Sequence, residues 1–260
     1  MNRSPPPNRR RSPRLGWGIV LGVAWLLLCG LASAWAEEPL SLVISDANPI
    51  LANADHTGIL DQLVLETFRR ARIPITITPL PSERALTNAN AGIDDGDLLR
   101  IVGLEKNYPN LIPLGEKWMD MEFSVFTRDP RLTIDGWEAL RPHAIGLIRG
   151  WKVFERATEG FPHLSLAVNA DSLFTLLLKN RVDLILYDRL QGMIAIKRRG
   201  LTEVREVGRP LTVEPLFLYL NKQRADLIPR IEATLRGMKQ DGSHARLMND
   251  AIAAALRQGP

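Results

Sequence analysis

Two charged side chains lie within or directly after apolar runs that are typical of buried strands. Arg100 interrupts one such run, and Asp188 follows the run 182–187 (VDLILY). An unpaired charge in a buried strand is costly. Arg100 is therefore either half of a buried salt bridge with Asp95 or Asp97, or a planar clamp for a ligand carboxylate. Asp188 either binds a cationic group of a ligand or caps the helix that follows it.

Five further residues are candidates for ligand binding because they follow predicted strands. Arg149 and Trp151 lie where a loop opens a predicted helix, whose first backbone N–H groups attract anions. Ser82 and Glu83 begin another helix, and Asp46 lies in the first polar loop. Trp151 is equally consistent with ordinary packing. Glu83 is more consistent with a favourable interaction with the helix dipole than with ligand binding.

No motif for metal, phosphate or nucleophilic chemistry is present in the sequence. The four histidines have no ligand spacing, and there is no glycine-rich phosphate loop, G-x-S-x-G motif or Cys–His pair. We therefore predict no metal site and no cofactor. If the chain were an enzyme, its general acid would have to be Glu83 or Glu122.

Residues 1–36 have the pattern of a cleaved secretory signal peptide. A basic, proline-rich start is followed by the apolar run 15–31 and by Ala34-Trp35-Ala36, a small-x-small cleavage site. We therefore expect a periplasmic mature protein. The alternatives are an uncleaved membrane anchor, a twin-arginine signal and a lipoprotein signal at Cys29. Since Cys29 is the only cysteine, a chain cut after Ala36 contains no disulfide.

The charge distribution argues against nucleic acid as a partner. The whole chain has a net charge of +4 and a pI near 9.4. The leader holds five of the 33 basic side chains and none of the 29 acidic ones, which leaves 28 basic against 29 acidic side chains in the remainder. The basic pI therefore belongs to the leader.

Hydrophobic periodicity predicts strands that alternate with helices. The order βαβαβ after the leader predicts a mostly parallel sheet with right-handed crossovers. We predict strands at 40–45, 73–80, 97–102, 122–127, 144–148, 164–168, 182–187, 203–207 and 213–220. We predict helices at 58–71, 82–91, 151–159, 169–180, 191–199, 225–238 and 243–256, with a loop at 103–113.

Opposite charges at two strand ends suggest two lobes that face one cleft. We expect the first lobe to comprise residues 37–126 and 211–260, and the second lobe residues 127–210. The chain would cross between the lobes near Glu122–Arg128 and Pro210–Leu216.

The order of these elements resembles the periplasmic solute-binding proteins of bacterial ABC transporters, in the family 3 group that binds polar amino acids. The resemblance covers roughly Pro39 to Asp250 and is carried by the segments LSLVIS, GILDQLVLETFRRARI, AGIDDGDLLRI, AIGLIRGWKVFE, NRVDLILYD and the closing segment 211–250. It implies the type II periplasmic binding fold, an α/β fold of two lobes with mostly parallel sheets and two interlobe crossovers.

The resemblance also implies a function. A monomer would capture a small polar solute, such as an amino acid or a related carboxylate, and deliver it to an ABC transporter permease. Asp188 matches the family's aspartate for the α-amino group. The family's threonines and carboxylate-binding arginine are replaced by IVGLEKNYPNLIP, with Lys106 near that position, and Gly150-Trp151 replaces a glycine-threonine pair. A sensory module and an enzyme on the same fold are the alternatives.

Overall fold

The computed structural model of the chain describes Met1 and residues 38–53 and 55–257. The predicted leader, its cleavage site and Cys29 lie outside the described residues. No helix in the described part of the chain is both long enough and apolar enough to cross a membrane.

Nine strands form one continuous sheet in the described part of the chain. They are β1 (Leu40–Ser45), β2 (Ile75–Leu80), β3 (Gly96–Arg100), β4 (Leu111–Pro113), β5 (Met119–Thr127), β6 (Ile145–Ile148), β7 (Leu164–Ala167), β8 (Leu184–Asp188) and β9 (Arg205–Asn221). Their order is β2-β1-β3-β9-β5-β8-β6-β7, with β4 also beside β9. The two outer parts of the sheet, β2-β1-β3 and β8-β6-β7, are parallel, as the βαβ pattern predicts.

Seven α-helices accompany these strands within residues 38–257. They are α1 (Asp61–Ala71), α2 (Ser82–Ala91), α3 (Lys152–Ala157), α4 (Ala170–Leu178), α5 (Arg189–Arg198), α6 (Ile228–Gln240) and α7 (Ser243–Arg257). Helix α2 packs on β1, β2 and β3, and α4 packs on β6, β7 and β8. The fold therefore has two lobes. We call the part built on β1, β2 and β3 the first lobe, and the part built on β6, β7 and β8 the second lobe.

The two lobes are joined by β5 and β9, which pair antiparallel along most of the length of β5. The 17-residue strand β9 pairs with β5 first and with β3 and β4 at its end. The sequence predicted two strands, 203–207 and 213–220, separated at Gly208-Arg209-Pro210. That prediction was wrong. The ladder shifts its register there, and Gly208 has a φ of +67°, so the extra residues form a bulge within one strand.

The remaining predicted elements are present with shifted ends, and one strand was missed. The loop 103–113 contains the three-residue strand β4, which is too short to give a periodic pattern. Helix α1 begins at Asp61 instead of residue 58. The Asp61 carboxylate accepts hydrogen bonds from the backbone N–H groups of Gly58 and Asn53, and this holds the preceding residues in a turn.

Candidate functional site

A small pocket, with about 40 Å³ of enclosed space, lies where the two lobes meet the crossover strands. The first lobe contributes the end of β3, and the second lobe contributes the start of α3. The floor comes from β5 and β9. The lining residues are Asn48, Leu99, Arg100, Ile101, Leu104, Met121, Phe123, Gly150, Trp151, Lys152, Val153 and Leu216.

Arg100 lines this pocket from the end of β3 and is 5% exposed. Its Nε donates to Asp97 Oδ2 at 2.7 Å, and its Nη2 donates to the Ser82 carbonyl at 2.8 Å. In a regular strand, residues three apart point to opposite faces. Here the pairing of β3 with β9 shifts register between Asp97 and Arg100, which lets the two side chains meet.

The Arg100–Asp97 pair leaves one nitrogen of the guanidinium, with its two N–H groups, unused. Asp97 is fully buried, and burial raises the pKa of its carboxyl while Arg100 partly offsets that effect. The third nitrogen, Arg100 Nη1, has no hydrogen-bond acceptor among residues 38–53 and 55–257. Of the two salt-bridge partners that the sequence left open, the structure has Asp97. The role of Arg100 as a ligand clamp stays a prediction.

Trp151 closes the pocket from the second lobe. Its ring stacks on Tyr187 at a centroid distance of 5.2 Å and meets the Phe123 ring edge-on at 6.0 Å. Its Nε1 also donates a long hydrogen bond of 3.5 Å to Ser45 Oγ of the first lobe, and Ser45 Oγ is hydrogen-bonded to Ser82 Oγ. Trp151 is therefore both a packed aromatic and a pocket residue.

Glu83 and Lys152 form an ion pair between the lobes. Lys152 Nζ donates to Glu83 Oε2 at 2.6 Å and to Glu155 at 2.8 Å, and the Tyr108 hydroxyl donates to Glu83 Oε1 at 2.7 Å. Burial by itself raises the pKa of the Glu83 carboxyl, but the hydrogen bonds from Lys152 and Tyr108 outweigh burial and lower it. Glu83 therefore stays ionised at neutral pH.

Two buried hydrogen bonds also join the lobes on the side of the loop after β1. The Tyr187 hydroxyl donates to the Ala47 carbonyl at 2.6 Å, and Gln191 Nε2 donates to Asn48 Oδ1 at 2.8 Å. Farther along α5, Lys197 Nζ donates to the Leu256 carbonyl near the end of α7 at 2.7 Å. The lobes are thus in direct contact around the pocket, which is a closed arrangement.

Gly150 lies at the closest approach of the two backbones. A Cβ atom at this position would lie 2.5 Å from the Glu83 backbone nitrogen, and its φ is +84°. Only glycine satisfies both the left-handed conformation and the close approach. The turn Arg149-Gly150 therefore sets how far the lobes can close.

Asp188 is placed at the N-terminus of α5, not in the lining of the pocket. Its Oδ1 accepts a hydrogen bond of 2.7 Å from the Gln191 backbone N–H, so it is the N-cap of that helix. The side chain is buried, and burial raises the pKa of Asp188 to about 7, although the Gln191 N–H opposes this shift. Of the two roles that the sequence left open, the structure has the cap, and binding of a cationic group stays a prediction.

Asp46 and Arg149 also lie outside the pocket lining. Asp46 is half-buried in the loop after β1, and its Oδ1 is enclosed without a hydrogen-bond partner among the described residues. Burial raises the pKa of Asp46. The Arg149 side chain is exposed to solvent. The structure therefore brings together Arg100, Trp151, Ser82 and Glu83, but not these two residues.

Lys152 and the apolar walls of the pocket were not predicted from the sequence. A lysine at the start of a short helix has the same pattern as any solvated lysine. Phe123 was part of the predicted strand 122–127 and Met121 directly precedes that strand, and only the packing shows that both face the pocket. The segment Gly150-Trp151-Lys152, which follows a buried strand, was the sequence signal that could have identified Lys152 as a site residue.

Comparison with known proteins supports the fold and no closer relationship. No model of a protein family matches the chain, and no curated protein sequence matches it significantly. Solved structures do match, and they show that the chain has the two-lobed type II periplasmic binding fold. The resemblance seen in the sequence is confirmed at this level.

Three of these structures illustrate the range of the fold. An arginine transport-system periplasmic binding protein from Legionella pneumophila is 18% identical, with a TM-score of 0.69 over 82% of this chain and 99% of that one. The GluR0 ligand-binding core in complex with L-glutamate is 13% identical, with a TM-score of 0.73 over 84% and 99%. A histidine kinase sensor domain similar to periplasmic binding proteins is 15% identical, with a TM-score of 0.72 over 82% and 96%.

The close approach at Gly150 generates a test of lobe closure. Gly150→Ala should hold the lobes apart, because its Cβ would collide with the Glu83 backbone. Small-angle X-ray scattering should give a larger radius of gyration for this variant than for the wild type. Gly160→Ala is the matched control, since Gly160 also has a positive φ of +77° but open space around it. Equal radii for the two variants would contradict the role assigned to Gly150.

The buried cap at Asp188 generates a test by pH. Its pKa of about 7 in the folded state exceeds the ordinary value of 3.8, so the folded state holds the proton more tightly than the unfolded state does. The free energy of unfolding should therefore fall as the pH rises from about 4 to about 7, and then level off. Asp188→Asn keeps a capping side chain without that charge.

Asp188→Asn should accordingly be more stable than the wild type at pH 8, by about 1–4 kcal/mol, and should lose this advantage near pH 4. Thermal or urea unfolding of both proteins from pH 4 to pH 8 measures the difference. A stability difference that does not change with pH would refute the assignment.

Proposed function

We propose that this chain is a periplasmic solute-binding protein that captures a small polar solute, an amino acid or a related carboxylate, and delivers it to an ABC transporter permease. The observation that carries the proposal is the pocket enclosed by both lobes, with a guanidinium from one lobe and an ammonium from the other in its wall. Such a pocket opens and shuts when the lobes turn about the crossover strands.

The hinge of this motion is proposed at Glu122–Arg128 and Pro210–Leu216, which divide the chain into lobes at residues 37–126, 127–210 and 211–260. Residues 1–36 would direct the protein to the periplasm and be removed. The closed protein would then dock as a monomer on the membrane permease. The proposal is supported by the arginine-binding and amino acid transporter proteins among the structures of the same fold.

A sensory role on the same fold is the second candidate function. The observation that favours it is the histidine kinase sensor domain among the matching structures. In that case the closed, solute-loaded form would be recognised by a receptor instead of a permease. The solute site would be the same in both cases.

An enzymatic role is disfavoured by the protonation state of Glu83, the candidate general acid beside the pocket. A general acid must hold a proton at working pH. Glu83 has a lowered pKa because Lys152 and Tyr108 both donate to it. Its contacts are those of an interlobe ion pair.

Solute binding is tested by a thermal-shift screen of the purified protein after unfolding and refolding to remove bound solute. The panel contains amino acids, small carboxylates, polyamines and sugars. A ligand at about 100 times its Kd stabilises by about 2.7 kcal/mol. For a chain of this size that is roughly 5–10 °C. One clear hit that Gly150→Ala weakens and Gly160→Ala does not is the expected result, and no shift with any compound would contradict the proposal.

The role of Arg100 in solute binding is tested by Arg100→Lys. Arg100→Ala is unsuitable, because it leaves the buried Asp97 unpaired at a cost of about 3–5 kcal/mol. A lysine can still neutralise Asp97 but lacks the planar fork of donors. We expect a loss of about tenfold or more in affinity for the hit from the screen. Unchanged affinity by titration calorimetry would show that Arg100 is only structural.

A further inference from the structure

The walls of the interlobe pocket are mostly apolar. Eight of its twelve lining residues have apolar side chains: Leu99, Ile101, Leu104, Met121, Phe123, Trp151, Val153 and Leu216. They come from both lobes and from both crossover strands, so a solute held between the lobes would lie against them. Apolar walls with a few polar groups are typical of sites that bury most of a small ligand. The walls favour a solute with an apolar body.

The charged groups in the lining are both cations. Arg100 and Lys152 are the charged residues, and no acidic side chain is among the described residues that line the pocket. Lys152 is already held by the carboxylates of Glu83 and Glu155. Arg100 Nη1 is the donor that has no acceptor within the described ranges. The pocket therefore offers one strong site for an anionic oxygen.

An α-amino acid would need a second polar site, for its ammonium group. An ammonium group that loses water without gaining an acceptor is strongly disfavoured. Asp188, the residue that the sequence suggested for this role, accepts from the Gln191 backbone and caps α5. Asp46 does not line the pocket either. The remaining polar side chain in the lining, Asn48, already accepts from Gln191.

We infer that the solute is a monocarboxylate with an apolar aromatic or branched body and no α-amino group. Its carboxylate would accept from Arg100 Nη1, and its body would lie against Met121, Phe123 and Trp151. This inference rests on the proposed function and narrows it, since it excludes the zwitterionic amino acids as preferred solutes.

Two pairs of probes that differ only in the ammonium group test the inference. They are 3-phenylpropionate against L-phenylalanine, and 4-methylpentanoate against L-leucine, each titrated into the refolded protein by calorimetry at pH 7. The carboxylate of at least one pair should bind about tenfold or more tightly than its amino acid, because the unpaired ammonium opposes binding.

A pair of pocket variants separates charge from shape. Val153 is half-buried in the first turn of α3, where a polar side chain is tolerated. Val153→Asp should weaken binding of the carboxylate by about tenfold relative to Val153→Asn, which has nearly the same size without the charge. Val153→Asp should also reduce the ratio between the affinity for the carboxylate and the affinity for the matching amino acid. Equal affinity of the two variants for the carboxylate would argue against an anionic solute.

The outcomes distinguish this inference from the proposed function. Tighter binding of the amino acid in both pairs would overturn the inference and leave solute binding intact. Binding of neither member of either pair would also overturn it, and the broad thermal-shift screen would then decide the proposed function. Hits in the screen that are confined to polyamines or sugars would overturn the inference and leave solute binding intact.

Discussion

The pairing of β5 with β9 is the constraint on which the rest of the structure depends. These strands belong to both lobes, and their ladder makes one sheet out of two parallel βαβ units. The bulge at Gly208 interrupts the ladder between the parts that serve the two lobes. The cleft is placed above this ladder, so Met121, Phe123 and Leu216 become its floor. Any motion that opens the cleft has to twist these two strands.

Two kinds of contact cross the cleft: a close approach of the two backbones and pairs of opposite charges. Gly150 lets the backbones approach, and the Glu83–Lys152 pair and the hydrogen bond from Tyr187 to Ala47 hold them there. Two charged pairs beside the cleft place opposite charges next to each other, Glu83 with Lys152 and Arg100 with Asp97. Closure of the lobes therefore buries few uncompensated groups, and the energy of a bound solute is added to contacts that the chain makes by itself.

Much of the fold follows from local patterns, whereas the site depends on packing. Alternating strands and helices were enough to predict an α/β fold with mostly parallel sheets, whereas the two lobes were predicted from the charges at two strand ends and from the family resemblance. Those patterns failed at β9, because Gly208 and Pro210 have the pattern of a chain break, and only the pairing with β5 on both sides of the bulge makes β9 one strand. The sequence could not distinguish the two interpretations of Asp188, as a helix cap or as a ligand-binding residue, since both roles place an aspartate directly after a strand and before a helix. Lys152 was missed because Glu83, its partner across the cleft, is 69 residues away in the sequence and is brought beside it only by the fold.

The position of Trp151 has an optical consequence. Its indole ring is buried in the pocket wall, stacked on the Tyr187 ring of its own lobe, and linked through Nε1 to Ser45 of the opposite lobe. Indole emission depends on the polarity around the ring and on its hydrogen bond. If the lobes separate as proposed, Trp151 would lose the contact with Ser45 and meet water, which would shift its fluorescence to longer wavelength. The chain thus carries an intrinsic fluorophore at the boundary between the two lobes, so the proposed motion could be followed in time without an attached dye.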